Sequence, residues 1–141
     1  MRTSALADSG AILAFLDKDD RWHTSCADVF ANINLPLLTS EAVLTELFHF
    51  IAARPYQLER AWNFVCSGVF TLGTISDADV PELARLMHQY RDRPMDFADA
   101  TLVHLAQRES LTTIFTVDVA DFQTYRIGGR KRFRILPGAL R

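Results

Sequence analysis

Twelve residues organise the chain: Met95-Asp96-Phe97-Ala98-Asp99-Ala100-Thr101-Leu102-Val103-His104-Leu105-Ala106. They predict an apolar helix that runs from about Asp96 to Glu109 and carries two carboxylates near its start. Residues three apart share a helix face, so Asp96 and Asp99 point to the same side. An N-cap role explains Asp96, and the helix dipole favours an acid in the first turn. The dipole explains Asp99 less well, because the face on which this acid lies is otherwise apolar.

Outward from this helix, short apolar segments alternate with segments of helical periodicity. Strands are predicted at 3–7, 35–39, 69–72, 112–118 and 133–137, and a capping box at Ser76–Asp79 opens the helix before Asp96. This alternation predicts the α/β class: three layers, α/β/α, around a central, mostly parallel sheet of four to five short strands. At 141 residues, the chain is expected to form a single domain over 1–141.

Three further acids occupy positions that a fold alone does not require. Asp8 follows the first strand and Asp118 ends the best strand, so both are expected at the edge where parallel strands end. Glu46 lies on or beside the apolar stripe of a helix that Ser40 caps, where an unpaired carboxylate is costly. Its partner is either a cation or His49, three residues further along the same helix.

If Asp8, Glu46, Asp99 and Asp118 meet, they form a site that needs a cation. Like charges repel unless neutralised, and ligation by oxygen alone suits Mg²⁺ or Mn²⁺ rather than zinc. One or two such ions beside a basic surface suit phosphodiester hydrolysis. Ser9 and Thr116 can donate hydrogen bonds to the carboxylates or to a phosphate; the alternatives are a helix cap and an ordinary strand hydroxyl.

The charge distribution separates an acidic body from a basic end. The chain has 17 acidic and 15 basic residues, and from position 126 onward it has only basic ones: Arg126, Arg130, Lys131, Arg132, Arg134 and Arg141. Such an end suits polyanion binding, with phosphate contacts expected at Arg126, Arg130, Lys131 and Arg132. The alternative is a solvated basic loop.

Cysteines and hydropathy indicate the compartment. Cys26 and Cys66 lie in helical patterns without metal-like spacing and are expected to be buried thiols, which suits a reducing cytosol. The N-terminus has no signal-peptide pattern, and no apolar run approaches the ~20 residues that cross a bilayer. A cytoplasmic protein without membrane attachment is therefore expected.

Four motifs in order resemble those of the PIN-domain ribonucleases, and most closely the VapC-like toxins of toxin–antitoxin modules. They are Ala7-Asp8-Ser9-Gly10-Ala11-Ile12-Leu13, Val43-Leu44-Thr45-Glu46, Met95-Asp96-Phe97-Ala98-Asp99-Ala100, and Thr116-Val117-Asp118 with Asp121-Phe122. The resemblance implies a PIN-like fold, with Asp8, Glu46, Asp99 and Asp118 as the acidic metal-binding and catalytic quartet. It also implies Mg²⁺- or Mn²⁺-dependent cleavage of single-stranded or structured RNA, a homodimer and a cognate antitoxin.

Two features depart from the commonest family pattern. The first motif reads Asp8-Ser9-Gly10 where Asp-Thr-Ser is usual, so one of two hydroxyls is missing. Asp96 is an additional acid close to Asp99, and it is either the helix cap or a group that holds an outer-shell water on the metal.

Two other function classes compete with the nuclease. One is a catalytically silent module of the same fold that binds RNA or a partner. The other is a phosphate-handling α/β domain, such as a receiver or a phosphatase. A receiver requires adjacent acids after the first strand and a late lysine, but Ser9 follows Asp8 and the only lysines are Lys18 and Lys131. An Asp-x-Asp phosphatase is disfavoured because position 10 is Gly.

Overall fold

The computed structural model describes residues 2–138. The strands are β1 (Leu6–Ala7), β2 (Leu37–Thr39), β3 (Phe70–Leu72), β4 (Thr113–Thr116), β5 (Arg126–Ile127), β6 (Lys131–Arg132) and β7 (Arg134–Pro137). The helices are α1 (Ser9–Leu16), α2 (His23–Asn32), α3 (Glu41–Ile51), α4 (Pro55–Val65), α5 (Val80–Gln89), α6 (Phe97–Glu109) and α7 (Val119–Thr124). A 3₁₀ turn, Asp77–Asp79, leads into α5.

Five strands form one parallel sheet in the order β3-β2-β1-β4-β7. Leu6 of β1 pairs with Leu38 on one side and Ile114 on the other, so the first strand lies in the middle of the sheet. This position explains how a two-residue segment of poor strand propensity is held as a strand. The prediction of a mostly parallel sheet of four to five strands is confirmed.

Helices cover both faces of the sheet, as the three-layer prediction requires. On one face, Phe115 of β4 contacts the ring of Phe30 of α2 at 5.4 Å, and Phe30 in turn stacks on Phe15 of α1 at 4.5 Å. Successive strand residues point to opposite faces. Ile114, next to Phe115, is also fully buried, so the second face is covered too.

Helix α6 is buried from Ala98 to Ala106 except at His104. Its first turn is capped by Asp96, whose carboxylate accepts the backbone N–H of Asp99 at 2.8 Å. Further along, Leu105 packs so closely on the loop after β3 that a Cβ at Gly73 would lie 2.6 Å from its Cδ2 atom. Any side chain at position 73 would force the Leu105 side chain to shift.

Three features differ from the sequence-based expectations. Helix α7 and the antiparallel hairpin of β5 and β6 were not predicted. Cys26 is buried as expected, but the prediction of a buried Cys66 is wrong, since this residue lies exposed just beyond the end of α4. The capping box at Ser76 and Asp79 is confirmed.

Candidate functional site: an acid cluster at the carboxyl end of the sheet

The strand order brings two of the acids to the same edge. Strands β1 and β4 are parallel neighbours, Asp8 follows β1 directly, and Asp118 lies two residues beyond the end of β4. Helix α3 follows β2, the other neighbour of β1, and carries Glu46. Helix α6 supplies Asp99 from its first turn.

Asp8 is held by hydrogen bonds on both carboxylate oxygens. It is 5% exposed; its Oδ1 accepts the backbone N–H of Ser9 at 2.8 Å and its Oδ2 accepts the hydroxyl of Thr116 at 2.8 Å. The same Thr116 oxygen accepts the backbone N–H of Asp118 at 3.0 Å. Thr116, one of the expected hydroxyl donors, therefore connects the two acids that end neighbouring strands.

Ser9 binds Glu46 and does not cap a helix. The cap of α1 is Asp8, and the Ser9 hydroxyl donates a short hydrogen bond to Glu46 Oε1. The interpretation of Ser9 as a cap is therefore wrong, as is that of His49 as the partner of Glu46. Gly10 is the position at which the commonest family pattern has a second hydroxyl. A Cβ there would lie 2.9 Å from Val117 Cγ2, so a serine would fit only if Val117 shifted.

Asp99 lies deeper in the site than its position at a helix start would suggest. It is 6% exposed, and its Oδ2 accepts a hydrogen bond of 2.9 Å from the hydroxyl of the fully buried Tyr125. Asp96, the cap of the same helix, is exposed. Sequence reasoning did not identify Tyr125, since it follows α7 and only the path of that helix directs it toward Asp99.

A third acid joins Asp99 and Asp118. Among the described residues, Asp99, Asp118 and Asp121 each offer a carboxylate oxygen, and these oxygens lie within 4.8 Å of one another. Asp121 also accepts a hydrogen bond from the Arg93 guanidinium at 3.0 Å. The spacing Asp118-x-x-Asp121 was the available signal, but it points to a shared face only once α7 is known to be a helix.

The pKa values of the acids are raised, as expected for crowded carboxylates without a cation. Burial, reinforced by the charges of Asp8 and Asp96, raises the pKa of Asp99 to about 8. Partial desolvation and the hydrogen bond and charge of Asp121 raise the pKa of Asp118 to about 7. Burial raises the pKa of Asp8 to about 6 despite its hydrogen bonds, and desolvation likewise raises the pKa of Glu46.

The donor set fits a hard divalent cation. The five acids and the hydroxyls of Ser9, Thr116 and Tyr125 all offer oxygen, and a bound cation would offset the burial and the repulsion that raise the pKa values of the acids. Asp99, Asp118 and Asp121 are close enough to share one ion, while Asp8 and Glu46 lie beside them, linked through Ser9 and through the mutual effect of their charges.

The basic segment forms a hairpin, and its members differ in role. Gly128 and Gly129, both at positive φ, make the turn between β5 and β6, and Arg130, Lys131 and Arg132 are exposed. Arg126 is instead engaged with the protein: its guanidinium donates to the carbonyls of residues 123, 124 and 125 at 2.7 to 3.1 Å. Arg141 lies outside the described residues.

Comparisons with known proteins agree with the geometry. The PIN domain family model matches residues 5–127, a range that includes all four predicted metal ligands. Ribonuclease VapC26 of Mycobacterium tuberculosis is 29% identical over 134 residues, which cover 94% of this chain and 99% of the relative. The crystal structure of M. tuberculosis VapC20, a sarcin-ricin loop cleaving toxin, matches with a TM-score of 0.73 at 18% identity, over 84% of this chain and 94% of that one.

Proposed function

Because the chain belongs to the PIN domain family, we propose that it is a metal-dependent endoribonuclease and the toxin of a toxin–antitoxin pair. The observation that carries this proposal is the convergence of Asp99, Asp118 and Asp121 beside the buried Asp8 at the carboxyl end of the sheet. The names of the relatives support it, since one is a ribonuclease and the other an RNA-cleaving toxin.

In this proposal Asp8, Glu46, Asp99 and Asp118 are the metal ligands and catalytic residues, and Asp121 joins them. The cofactor is Mg²⁺ or Mn²⁺, as one or two ions. When bound, the ion supplies an activated water and neutralises charge on the phosphate oxygens. The protein groups fix the ligand positions: Thr116 and Ser9 hold Asp8 and Glu46, and the cap formed by Asp96 fixes the start of α6.

The test is cleavage of total RNA by the purified protein. We expect fragmentation with Mg²⁺ or Mn²⁺, and none with EDTA or in the Asp8→Asn variant. Equal cleavage in all three samples would contradict a metal-dependent nuclease. Stable RNA binding without cleavage under every metal condition would instead favour the catalytically silent module.

The exposed cations of the β5–β6 hairpin are proposed to bind RNA phosphates. Replacing Arg130, Lys131 and Arg132 by Gln should weaken RNA binding and flatten its salt dependence, by about 0.7 in the log–log slope for each lost contact with single-stranded RNA. The matched control replaces Lys18, Arg21 and Arg60, which are exposed elsewhere, with the same change in net charge. Equal slopes for the two triple variants would remove the hairpin from the interface.

The remaining proposals concern partners and location. A cognate antitoxin, a homodimer and a cytoplasmic location follow from the toxin assignment. Within residues 2–138, no helix combines the length and hydropathy needed to span a membrane. Expressing the chain with and without the reading frame next to its gene tests for an antitoxin: if that frame encodes one, growth should stop only without it. Light scattering of the purified protein measures the oligomeric state.

A further inference from the structure

A groove lies beside the acid cluster, between α3 and the first turn of α6. Its volume is about 670 Å³. We call it the α3–α6 groove; its lining includes Ala42, Glu46, Ile75, Asp96, Phe97 and Ala98. Most of its exposed surface is apolar, and Glu46 and Asp96 belong to the region already described. The groove is therefore an apolar extension of the candidate active site.

Phe97 is the most prominent apolar side chain of this groove. It is 50% exposed, although the next six residues of α6, Ala98 to Val103, are all buried. Within residues 2–138, the Phe97 ring pairs with no other aromatic ring, whereas the similarly exposed Trp62 stacks on Phe48 at 4.3 Å. An aromatic ring left exposed in a groove offers a surface for a flat ligand.

We propose that the α3–α6 groove binds an unpaired nucleobase adjoining the scissile phosphate, and that this base stacks on Phe97. The inference rests on the proposed nuclease function and assigns part of the substrate to a surface outside the metal site. Aromatic side chains commonly hold single-stranded RNA in this way, because every base has a π-face.

The first argument is continuity with the site of cleavage. Glu46 and Asp96 line the groove and also contact the acid cluster. Glu46 accepts the hydroxyl of Ser9, whose backbone N–H binds Asp8, and Asp96 accepts the backbone N–H of Asp99. Phe97 lies between Asp96 and Asp99 in the sequence. A nucleotide whose phosphate lies at the cluster therefore has its base next to the groove. The base must be unpaired, since stacking within a duplex would cover the face that Phe97 contacts.

The second argument is charge. The groove is bordered by Glu41, Glu46 and Asp96, and its lining includes neither Lys nor Arg. A phosphate would be repelled there, whereas a neutral base presents an apolar face to Phe97 and amino groups to the acids. Thr45 and His49 add polar atoms along the α3 wall. In this proposal the basic hairpin contacts phosphates and the groove binds a base.

The first test measures RNA binding in the uncleaving Asp8→Asn background. The two ligands are a short single-stranded RNA and its abasic counterpart, which has the same phosphates and no bases. Phe97→Ala should weaken binding of the normal RNA about 5- to 150-fold, the usual range for one stacked base, and leave the abasic ligand unaffected. Phe97→Trp should restore binding. Phe50→Ala is the control, since Phe50 is 51% exposed on α3 outside the groove.

The second test measures cleavage at a site mapped in total RNA. Removing the base on one side of the scissile phosphate should lower kcat/KM by the same factor as Phe97→Ala, and the two changes together should cost no more than either alone. Independent losses, or unchanged kinetics in Phe97→Ala, would overturn the proposal and leave the groove to a protein partner. Base-dependent binding through Phe97 without any metal-dependent cleavage would refute the nuclease function but not the groove.

Discussion

The acid cluster has two halves that the protein treats differently. The inner acids, Asp8 and Asp99, are almost fully buried, and the hydroxyls of Thr116 and Tyr125 hold their oxygens. The outer acids, Asp118 and Asp121, lie at the surface of the short helix α7. The inner half is thus positioned before any ion binds, whereas the outer half depends on neighbouring charges.

This difference has a physical cause. An inner carboxylate loses its hydration on folding, so the protein must supply fixed hydrogen bonds in its place. An outer carboxylate keeps contact with water and can be balanced by a surface cation, as Arg93 does for Asp121. We therefore expect that replacing an inner acid reduces cleavage more than replacing the outer Asp121.

The largest effect should come from an inner acid. Asp99→Asn should reduce metal-dependent cleavage to the level seen with EDTA, a loss greater than the ~100-fold typical of removing a supporting partner. The folded state should survive, because Asn can still accept the Tyr125 hydrogen bond and relieves repulsion. Cleavage rates and melting temperature measure the two effects. Asp121→Asn is the comparison from the outer half and should lose less; the reverse order would break the distinction.

The next effect should come from the group that positions Asp99. Tyr125→Phe removes only the hydroxyl, and we expect about a 10- to 100-fold loss of metal affinity. A titration of activity against Mn²⁺ should show recovery at high concentration, since the ligands themselves remain. Tyr90→Phe is a matched control: its ring contacts Tyr125 at 5.0 Å, but its hydroxyl accepts the backbone N–H of Arg126. If both variants behave alike, the Tyr125 hydroxyl does not position the metal site.

The pH dependence of stability distinguishes the metal-free from the metal-bound state. Folding raises the pKa values of Asp8, Asp99 and Asp118 to about 6, 8 and 7, so the folded state binds more protons than the unfolded state above about pH 4. The free energy of unfolding should therefore fall as the pH rises from 5 to 8.

Melting temperatures with EDTA test this expectation. The decline should be shallower in Asp99→Asn and largely absent when Mg²⁺ or Mn²⁺ is bound. If the metal-free protein became more stable from pH 5 to pH 8, the pKa values of these acids would not be raised by folding.

The smallest effect should come from Asp96, an exposed acid whose hydrogen bond serves the helix. Asp96→Ala should lower the free energy of unfolding by about 0.5–2 kcal/mol through loss of the cap. Asp96→Asn should keep the cap and remove the charge, since Asn also caps helices. Denaturant unfolding and metal titration of both variants separate the two roles. A loss of metal affinity in Asp96→Asn would assign Asp96 to an outer-shell water.

Much of the fold could be predicted because its signals are local. The strand–helix alternation, the caps formed by Ser40 and Asp96, and the strong strand before Asp118 are each readable within a few residues. The weak first strand could be predicted only from the acid that follows it. Helix α7 and the β5–β6 hairpin were missed because six-residue and two-residue elements carry little periodicity.

What the sequence determined by itself was the chemistry: acids placed after strands and at helix starts, in the order typical of one family. The direction of each side chain was decided by tertiary structure. The sequence does not reveal that Tyr125 reaches Asp99, that Ser9 holds Glu46, or that Phe97 lines a groove. These contacts join residues from separate elements, and their geometry depends on how helices pack on the sheet. The stretch of residues 95–106 shows both cases, since Asp96 follows a local capping rule and Asp99 is directed by the fold.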